Sequence, residues 1–158
     1  MSAPQPPPGP GYFRVFENPA GGFVDVHEQH GRQESSKNLP VALGLAARGE
    51  QVRLLPVRHV PGTKSPDATR DGVVWEFKIP EGRTANAIDK ALRDGSKQAP
   101  RILLKLPADF DRQALSLALV DQVQRTAATR EVAVLLADKL VHLSRAAILA
   151  NAFYDLLA

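Results

Sequence analysis

The chain has 158 residues, a formal net charge of +3 and no cysteine. This length suits one domain with a hydrophobic core and is short for two. The absence of cysteine excludes a disulfide framework, a thiolate metal site and a thiol nucleophile. No apolar run is long enough for a membrane span, and the N-terminus has no hydrophobic signal region. The mild positive charge permits a nucleic-acid partner without requiring one.

The chain begins with a segment rich in proline. Residues 1–10 contain prolines at positions 4, 6, 7, 8 and 10. This composition is typical of a disordered tail or linker. We therefore expect a single folded domain over residues 11–158.

Hydrophobic periodicity predicts strands and helices along this domain. The strands are predicted at residues 12–16, 23–27, 51–57, 73–78, 101–106, 131–136 and 140–143. The helices are predicted at residues 36–48, 84–98, 111–126 and from 144 onward. Pro40 fits only the first turn of a helix, so the start of the first helix is left open. Residues 61–71 are predicted to form a polar loop. The order predicts an α/β fold with a central mixed β-sheet flanked by helices.

The last predicted hairpin has an alternative. Asp138-Lys139 is its predicted turn, between the strands at 131–136 and 140–143. Alanine and leucine are good helix formers, so one long helix through to Leu157 is the competing interpretation. We favour the hairpin because Val132-Ala133-Val134 suits a strand.

The most informative stretch combines Ser65-Pro66-Asp67 with a glutamate and a lysine on the strand that follows. Successive side chains on a strand point to opposite faces, so Glu76 and Lys78 share one face. Trp75 and Phe77 take the other face, where they can enter a core and hold the charged pair at a cleft. Two carboxylates and one lysine at one point are the groups that a metal-dependent phosphodiesterase needs.

Phosphodiester hydrolysis requires an activated water and stabilised charge on the phosphoryl oxygens. Mg²⁺ prefers oxygen ligands, which Asp67, Glu76 and the backbone carbonyl of Phe77 can supply; Mn²⁺ and Zn²⁺ are the alternative ions. Lys78 is suited to contact the scissile phosphate and to orient or deprotonate the water. The alternative is that neither segment has a catalytic role. Glu-x-Lys is common on solvated strands, and Pro-Asp opens many turns.

Ser65-Pro66-Asp67 and Glu76-Phe77-Lys78 resemble the signature of the PD-(D/E)XK nuclease superfamily, which has the restriction-endonuclease-like fold. A wider set of segments is similar to the C-terminal nuclease domains of contact-dependent growth inhibition and related polymorphic toxins. These segments are Leu45-Ala46-Ala47-Arg48-Gly49, Val52-Arg53-Leu54-Leu55-Pro56, Lys64-Ser65-Pro66-Asp67, Trp75-Glu76-Phe77-Lys78 and Lys97-Gln98-Ala99. The resemblance extends from Val24 to Ser144. Many such toxin domains cleave tRNA, and similar domains occur on phage head morphogenesis proteins.

The resemblance implies a metal site at Asp67 and Glu76, with Lys78 as the third catalytic residue. Many members of the family also have a glutamate on the first helix. Glu34 is the candidate for that metal ligand, and Asn38, four residues later on the same helical face, is the alternative.

The resemblance also draws attention to residues around the following helix. Gln98, near its end, matches a position that often faces the active site; a solvated glutamine at a helix end is the alternative. Cationic residues near the motifs are candidates for phosphate contacts, namely Lys64, Arg70 and Lys97. The alternative for these cations is a place on the solvated faces of loops and helices.

The four histidines, His27, His30, His59 and His142, lack the spacing of metal ligands on one short element. His27 and His30 precede the first predicted helix and could flank the cleft. We expect solvated loop positions for them instead.

We interpret the sequence as a divalent-metal-dependent nuclease, and the resemblance favours a toxin domain that cleaves RNA, in particular tRNA. The metal chemistry is the same for DNA, so a DNA endonuclease for repair, restriction or phage DNA processing is an alternative. A non-catalytic binding or assembly module that retains the fold is a second alternative. A toxin would act in the cytoplasm of the target cell and would have a cognate immunity protein; otherwise we expect a cytoplasmic protein.

Overall fold

The computed structural model describes residues 5–58, 60–137 and 139–158. Residues 1–4 of the predicted tail, His59, and Asp138 of the predicted turn lie outside the described residues. The chain divides into two compact units, a first unit that ends at Trp75 and a second that begins at Glu76. No helix among the described residues is both long and apolar enough to cross a membrane.

The first unit contains one helix and the strands that precede the second unit. The strands are β1 (Tyr12–Glu17), β2 (Phe23–His27), β3 (Gln51–Leu54), β4 (Ala68–Arg70) and the beginning of β5 (Val73–Lys78). Strands β1 and β2 form a hairpin, and β2 runs parallel to β3. Strands β3, β4 and β5 pair antiparallel in that order. Helix α1 (Arg32–Ala47) connects β2 to β3, as a crossover between parallel strands requires.

Helix α1 begins earlier than its predicted start. The helix starts at Arg32 rather than Ser36, so Pro40 lies in its interior and not in its first turn. Proline there removes one backbone hydrogen bond. Pro40 and Ser36, whose carbonyl loses the bond, are both exposed, so water can replace the missing donor. The helix start, which the sequence left open, thus lies at Arg32 because the helix tolerates the proline on its solvated side.

The turn between β1 and β2 is fastened to the end of α1. The Asn18 side-chain amide donates to the carbonyls of Ala46 and Ala47, each at 3.1 Å. These are among the last carbonyls of the helix, which lack partners within it. A methyl carbon placed on Gly22 would lie 2.0 Å from the Ala46 carbonyl oxygen, so only glycine fits at this approach. The helix end therefore receives its cap from a residue far away in sequence.

Strand β4 lies within residues 61–71, which were predicted to be a polar loop. Its three residues pair on both sides, with Val52–Leu54 of β3 and with Val73–Trp75 of β5. Asp71 and Gly72 form the turn to β5, and both have positive φ, the conformation that tight hairpins use. The loop prediction was wrong for this part of the segment.

The second unit contains the end of β5, three further strands and the other helices. The strands are β6 (Arg101–Lys105), β7 (Glu131–Leu135) and β8 (Leu140–Ser144). Strands β5, β6 and β7 are parallel, and β8 returns antiparallel to β7, which confirms the predicted last hairpin. The helices are α2 (Ala85–Ser96), α3 (Arg112–Arg125) and α4 (Arg145–Leu149), followed by a 3₁₀ turn at Tyr154–Leu157. The helix predicted from residue 144 onward is thus interrupted.

The helices of the second unit begin and pack as their sequences indicate. The hydroxyl of Thr84 accepts from Ala87 N at 3.2 Å and caps the start of α2. Asp111 caps α3 in the same way. The apolar stripes of α2 and α3 pack with alternate residues of β6 and β7 in one buried core. Ile102 and Leu104 of β6, Val132 and Val134 of β7, and Val141 and Leu143 of β8 are the strand residues in this core.

Strand order follows the sequence from β1 to β8, with parallel and antiparallel pairs. The predicted α/β class with a mixed sheet and flanking helices is confirmed. The sequence predicts every strand of this order except β4. Its predicted order is β-β-α-β-β-α-β-α-β-β-α.

Candidate functional site

Strand β5 brings Glu76 and Lys78 together on one face. The Lys78 Nζ lies 3.7 Å from Glu76 Oε2. Glu76 is only 5% exposed, whereas 31% of the Lys78 side chain reaches solvent. Trp75 and Phe77 are also buried, as predicted, so side chains on both faces of β5 are covered. The glutamate is therefore a nearly buried carboxylate with an ammonium beside it.

The pairing of β5 with β6 defines the surroundings of this ion pair. Glu76 lies opposite Ile102, and Lys78 lies opposite Leu104, in the parallel register. Paired residues point to the same face of a sheet. The ion pair therefore shares its face with the core strand residues on which α2 packs. An apolar neighbourhood of this kind strengthens the attraction between the two charges because it excludes water.

Helix α2 passes very close to Lys78. A methyl carbon placed on Gly95 would lie 3.3 Å from Lys78 Cγ and 3.3 Å from both Cγ atoms of Ile102. Gly95 itself is buried. The absence of a side chain here leaves space for the aliphatic part of Lys78 between helix and strand.

The two predicted site residues that follow α2 differ in exposure. Gln98 is half-buried, and its backbone N donates to the Gly95 carbonyl at 2.9 Å. Lys97 is exposed, with its Nζ 3.8 Å from an Asp94 carboxylate oxygen. Lys97 is thus available to solvent. Gln98 follows the end of α2, and its backbone is bonded to Gly95, the residue at which α2 passes close to Lys78.

In the first unit, Asp67 is half-buried and immediately precedes β4. Its carbonyl accepts from Leu55 N at 2.9 Å, which fixes the backbone at this point. The next residue, Ala68, pairs with Trp75, and Glu76 is the residue after Trp75 in the chain. Lys64, three residues before Asp67, is exposed.

Arg70 is buried in the first unit. Its guanidinium makes two hydrogen bonds to the Glu50 carboxylate, at 2.7 and 2.8 Å. The same group lies over the Trp75 ring, 4.4 Å from the ring centre. These contacts give Arg70 a packing role, and its predicted contact with substrate stays a prediction.

The two candidates on α1 have different surroundings. Glu34 is half-buried in the first turn of the helix. It lines a pocket of about 490 Å³ whose other lining residues are Arg32, Gln33, Ser36 and Lys37. Asn38 is buried, and its amide nitrogen lies 3.2 Å from His30 Nε2. Asn38 is thus committed to a hydrogen bond within the fold, whereas Glu34 borders solvent.

His30 is fully buried, so the predicted solvated loop position was wrong. Its Nδ1 lies 2.5 Å from the Leu55 carbonyl oxygen. Because that oxygen only accepts, Nδ1 carries the proton, and Nε2 accepts from the Asn38 amide. A histidine in a polar stretch gives no signal of such burial.

Sequence reasoning also missed a buried carboxylate on β2. Asp25 is fully buried and accepts two hydrogen bonds from Arg14, at 2.8 and 3.1 Å. The hydrogen bond that Arg14 donates to Asp25 raises the pKa of the Arg14 guanidinium above its ordinary value. The available signal was an aspartate between two valines on a predicted strand.

The predicted metal ligands Asp67 and Glu76 carry carboxylates, the kind of donor that a hard cation prefers. Among the described residues, no three histidine, aspartate or glutamate side chains form a group that could hold a metal ion. Mg²⁺ commonly uses one or two protein carboxylates and fills its other positions with water and substrate phosphates. Asp67 and Glu76 are donors of that type, whereas a closed zinc site usually has nitrogen or sulfur ligands.

The middle of the chain, from the loop before β4 to the residues after α3, resembles a known family. Residues 64–129 match the contact-dependent growth inhibition CdiA C-terminal domain. The segment that matches the CdiA C-terminal domain contains every predicted site residue except Glu34 and its alternative, Asn38. No curated protein matches the chain.

One solved structure with a similar fold is the CdiA-CT/CdiI toxin and immunity complex from Burkholderia pseudomallei. The two chains share 20% sequence identity with a TM-score of 0.50, over 71% of this chain and 85% of the other. At this identity the likeness concerns the fold. It agrees with the mixed α/β architecture described above.

Proposed function

We propose that the chain is a toxin domain of contact-dependent growth inhibition that acts as a divalent-metal-dependent nuclease, with RNA and in particular tRNA as its substrate. The match of residues 64–129 to the CdiA C-terminal domain supports the toxin part of this proposal. The fold shared with a CdiA-CT toxin chain is consistent with it. The resemblance of Ser65-Pro66-Asp67 and Glu76-Phe77-Lys78 to the PD-(D/E)XK signature supports the nuclease part.

The observation that carries the nuclease proposal is the Glu76–Lys78 pair. A nearly buried carboxylate costs free energy that a hydrophobic residue of similar size would not cost. A pair of this kind therefore supports a chemical role. The sequence positions also agree with the signature. Ala68, which follows Asp67, pairs with Trp75, and Trp75 is followed by Glu76.

The residues have separate roles in the proposed reaction. Asp67, Glu76 and the Phe77 carbonyl would hold the cation, with Glu34 as a further ligand. A bound Mg²⁺, Mn²⁺ or Zn²⁺ supplies Lewis-acid stabilisation of phosphoryl oxygens and a more acidic water. The Lys78 ammonium contacts a non-bridging oxygen of the scissile phosphate, where it stabilises negative charge as it develops.

The remaining predicted residues would position substrate. Lys64 and Lys97 are exposed cations and suit contacts with backbone phosphates. Gln98 would orient the attacking water or the phosphate from the end of α2. Arg70 would act from a more buried position, where Glu50 holds it.

Cleavage assays with the purified chain test the proposal. Total tRNA and plasmid DNA are incubated with Mg²⁺, Mn²⁺, Zn²⁺ or EDTA, for the wild type and Lys78→Ala. Lys37→Ala is the matched control because it removes an exposed lysine from α1. We expect metal-dependent tRNA cleavage that is lost only in Lys78→Ala.

Other outcomes of this assay identify the alternatives. Cleavage of DNA alone would make the chain a DNA endonuclease of the same fold. A folded protein that cleaves neither nucleic acid and is not stabilised by Mg²⁺ or Mn²⁺ would be a binding or assembly module. Full activity of Lys78→Ala would refute the assignment of this residue.

As a toxin, the chain would act in the cytoplasm of a target cell and bind a cognate immunity protein. The similar structure from Burkholderia pseudomallei is a complex of a toxin with its immunity protein, which supports the second expectation. Expression of the chain inside bacteria should arrest growth, and expression of Lys78→Ala should not. Normal growth with the active wild-type protein present at equal levels would contradict the toxin role.

A further inference from the structure

Arg53 differs from two other arginines on the sheet of the first unit in how its guanidinium is bonded. Arg14 makes two hydrogen bonds to Asp25, and Arg70 makes two to Glu50. Arg53 approaches Asp25 only as an ion pair, with Nε 3.7 Å from Oδ2. This Nε is buried and has no hydrogen-bond acceptor among the described residues. Arg53 therefore has no hydrogen-bonded carboxylate among the described residues, unlike Arg14 and Arg70.

The inner part of the Arg53 side chain is held, while its outer part reaches solvent. Although Nε is buried, 42% of the side chain is exposed. The Cζ atom lies 5.9 Å from the centre of the Phe23 ring and 6.0 Å from that of Tyr12. These distances are within the range of cation–π attraction, which restrains the guanidinium. Arg53 therefore presents an oriented cation at a sheet face.

The charge of Arg53 is surplus to what the buried carboxylate requires. Asp25 already has both oxygens bonded to Arg14. Arg14 also pairs with Glu17, so Arg53 is the arginine of this cluster whose guanidinium has no hydrogen-bonded carboxylate among the described residues. An anion is the complementary ligand for such a group. The planar fork of N–H donors in arginine matches the oxygens of a phosphate particularly well.

We infer that Arg53 binds a backbone phosphate of the nucleic-acid substrate, in addition to the groups proposed for catalysis. This inference rests on the proposed function, which supplies the nucleic acid as ligand. Tyr12 and Phe23 restrain the guanidinium. Arg14 supplies the hydrogen bonds that Asp25 needs, so Arg53 does not have to provide them. Arg53 contributes to substrate affinity and does not take part in bond cleavage.

The test compares binding and turnover in matched arginine variants. Arg53→Ala removes the proposed contact, and Arg48→Ala removes an exposed arginine of the same unit whose side chain donates to the Gly44 carbonyl. Binding of fluorescein-labelled tRNA is measured by anisotropy in a Lys78→Ala background at several KCl concentrations. We expect Arg53→Ala to weaken binding several-fold and to lower the salt dependence by about one phosphate contact. Arg48→Ala should change the tRNA affinity and its salt dependence much less.

Turnover separates a binding role from a structural one. In the otherwise wild-type protein, Arg53→Ala should raise KM while kcat stays near its original value. Arg53→Lys should recover part of the affinity because the charge remains. If Arg53→Ala does not fold, Arg53→Gln replaces it, because glutamine is a long uncharged side chain.

The outcomes distinguish this inference from the proposed function. Metal-dependent cleavage with equal tRNA affinity in Arg53→Ala and Arg48→Ala would overturn the inference alone. A fall in kcat with unchanged KM would also overturn it. Absence of cleavage by the wild type would instead refute the proposed nuclease, whatever the anisotropy shows.

Discussion

The amide nitrogen of Asn38 lies 3.2 Å from Nε2 of His30, and both side chains are buried. The other ring nitrogen of His30 lies 2.5 Å from the Leu55 carbonyl. One imidazole thus connects the residues before α1, the helix itself and the residue after β3. The hydrogen bonds satisfy polar groups that would otherwise be costly to bury.

Asn38→Leu should destabilise the protein by about 1–3 kcal/mol, because it leaves His30 Nε2 buried without a donor. Urea unfolding gives the free energy of unfolding for the variant and the wild type. Gln33→Leu is the control, since it makes the same kind of change at an exposed position of α1. Equal stability of the two variants would show that the His30–Asn38 bond contributes nothing.

Glu76 and Lys78 should be energetically coupled. The single variants Glu76→Gln and Lys78→Met, with the double variant, form a double-mutant cycle. We expect a coupling free energy of about 0.5–3 kcal/mol, because each single change removes one charge of a pair in apolar surroundings. Solvent exposure of Lys78 puts the value toward the lower end. Strict additivity of the two changes would contradict the prediction.

Gly44→Ala should stabilise the protein, and Gly95→Ala should not. Alanine at an unhindered helix interior stabilises by about 0.5–1 kcal/mol. Gly44 is such a position, because the nearest atom to an added methyl carbon is 3.8 Å away, at the end of Arg48. At Gly95 the methyl group would press on Lys78 and Ile102, so the gain should be cancelled or reversed.

Thermal or urea unfolding of both glycine variants measures this difference. If the proposed nuclease function holds, Gly95→Ala should also lower kcat, because displacement of Lys78 moves its ammonium, and Gly44→Ala should not. An equal gain in stability with unchanged activity in both variants would refute the role given to Gly95.

Tyr12 should titrate above its ordinary range. Burial raises the pKa of the Tyr12 phenol, and the nearby Arg53 guanidinium opposes that rise. Arg53→Ala should therefore raise the pKa of Tyr12 further. Tyrosinate absorbance measured in a Tyr154→Phe background follows Tyr12 alone, since the chain has 2 tyrosines.

The sign of the stability effect follows from the direction of this shift. A phenol whose pKa is raised on folding contributes stability below its unfolded pKa, about 10, and loses it as pH rises through the folded value. Stability should thus fall in alkaline solution, and the part due to Tyr12 should be absent in Tyr12→Phe. A Tyr12 pKa at or below the ordinary value would contradict the burial of the ring.

Most elements of the fold were predictable because their signals are local. The caps at Thr84 and Asp111 and the alternation of β5 depend on residues within a few positions of one another. Strand β4 was missed because three residues after a polar loop carry no periodicity. Its pairing partners on both sides are what make it a strand.

Local spacing likewise accounts for one contact of the candidate site. The shared face of Glu76 and Lys78 follows from a spacing of two on a strand, and their contact agrees with it. The burial of Arg70 depends on Glu50, twenty residues earlier in the chain. The close approach of Gly95 to Lys78 depends on how α2 packs on the sheet. Contacts of this kind have no local signal.

The Asn18 cap has a consequence for local motion. Helix ends ordinarily fray, because their last carbonyls have no fixed donor. The end of α1 is instead bonded to the β1–β2 turn, and Gly22 packs against the same carbonyl. The last turn of the helix can therefore open only when the hairpin turn also moves. In hydrogen exchange, the amides of these two distant segments should be exposed to solvent together, as one cooperative unit.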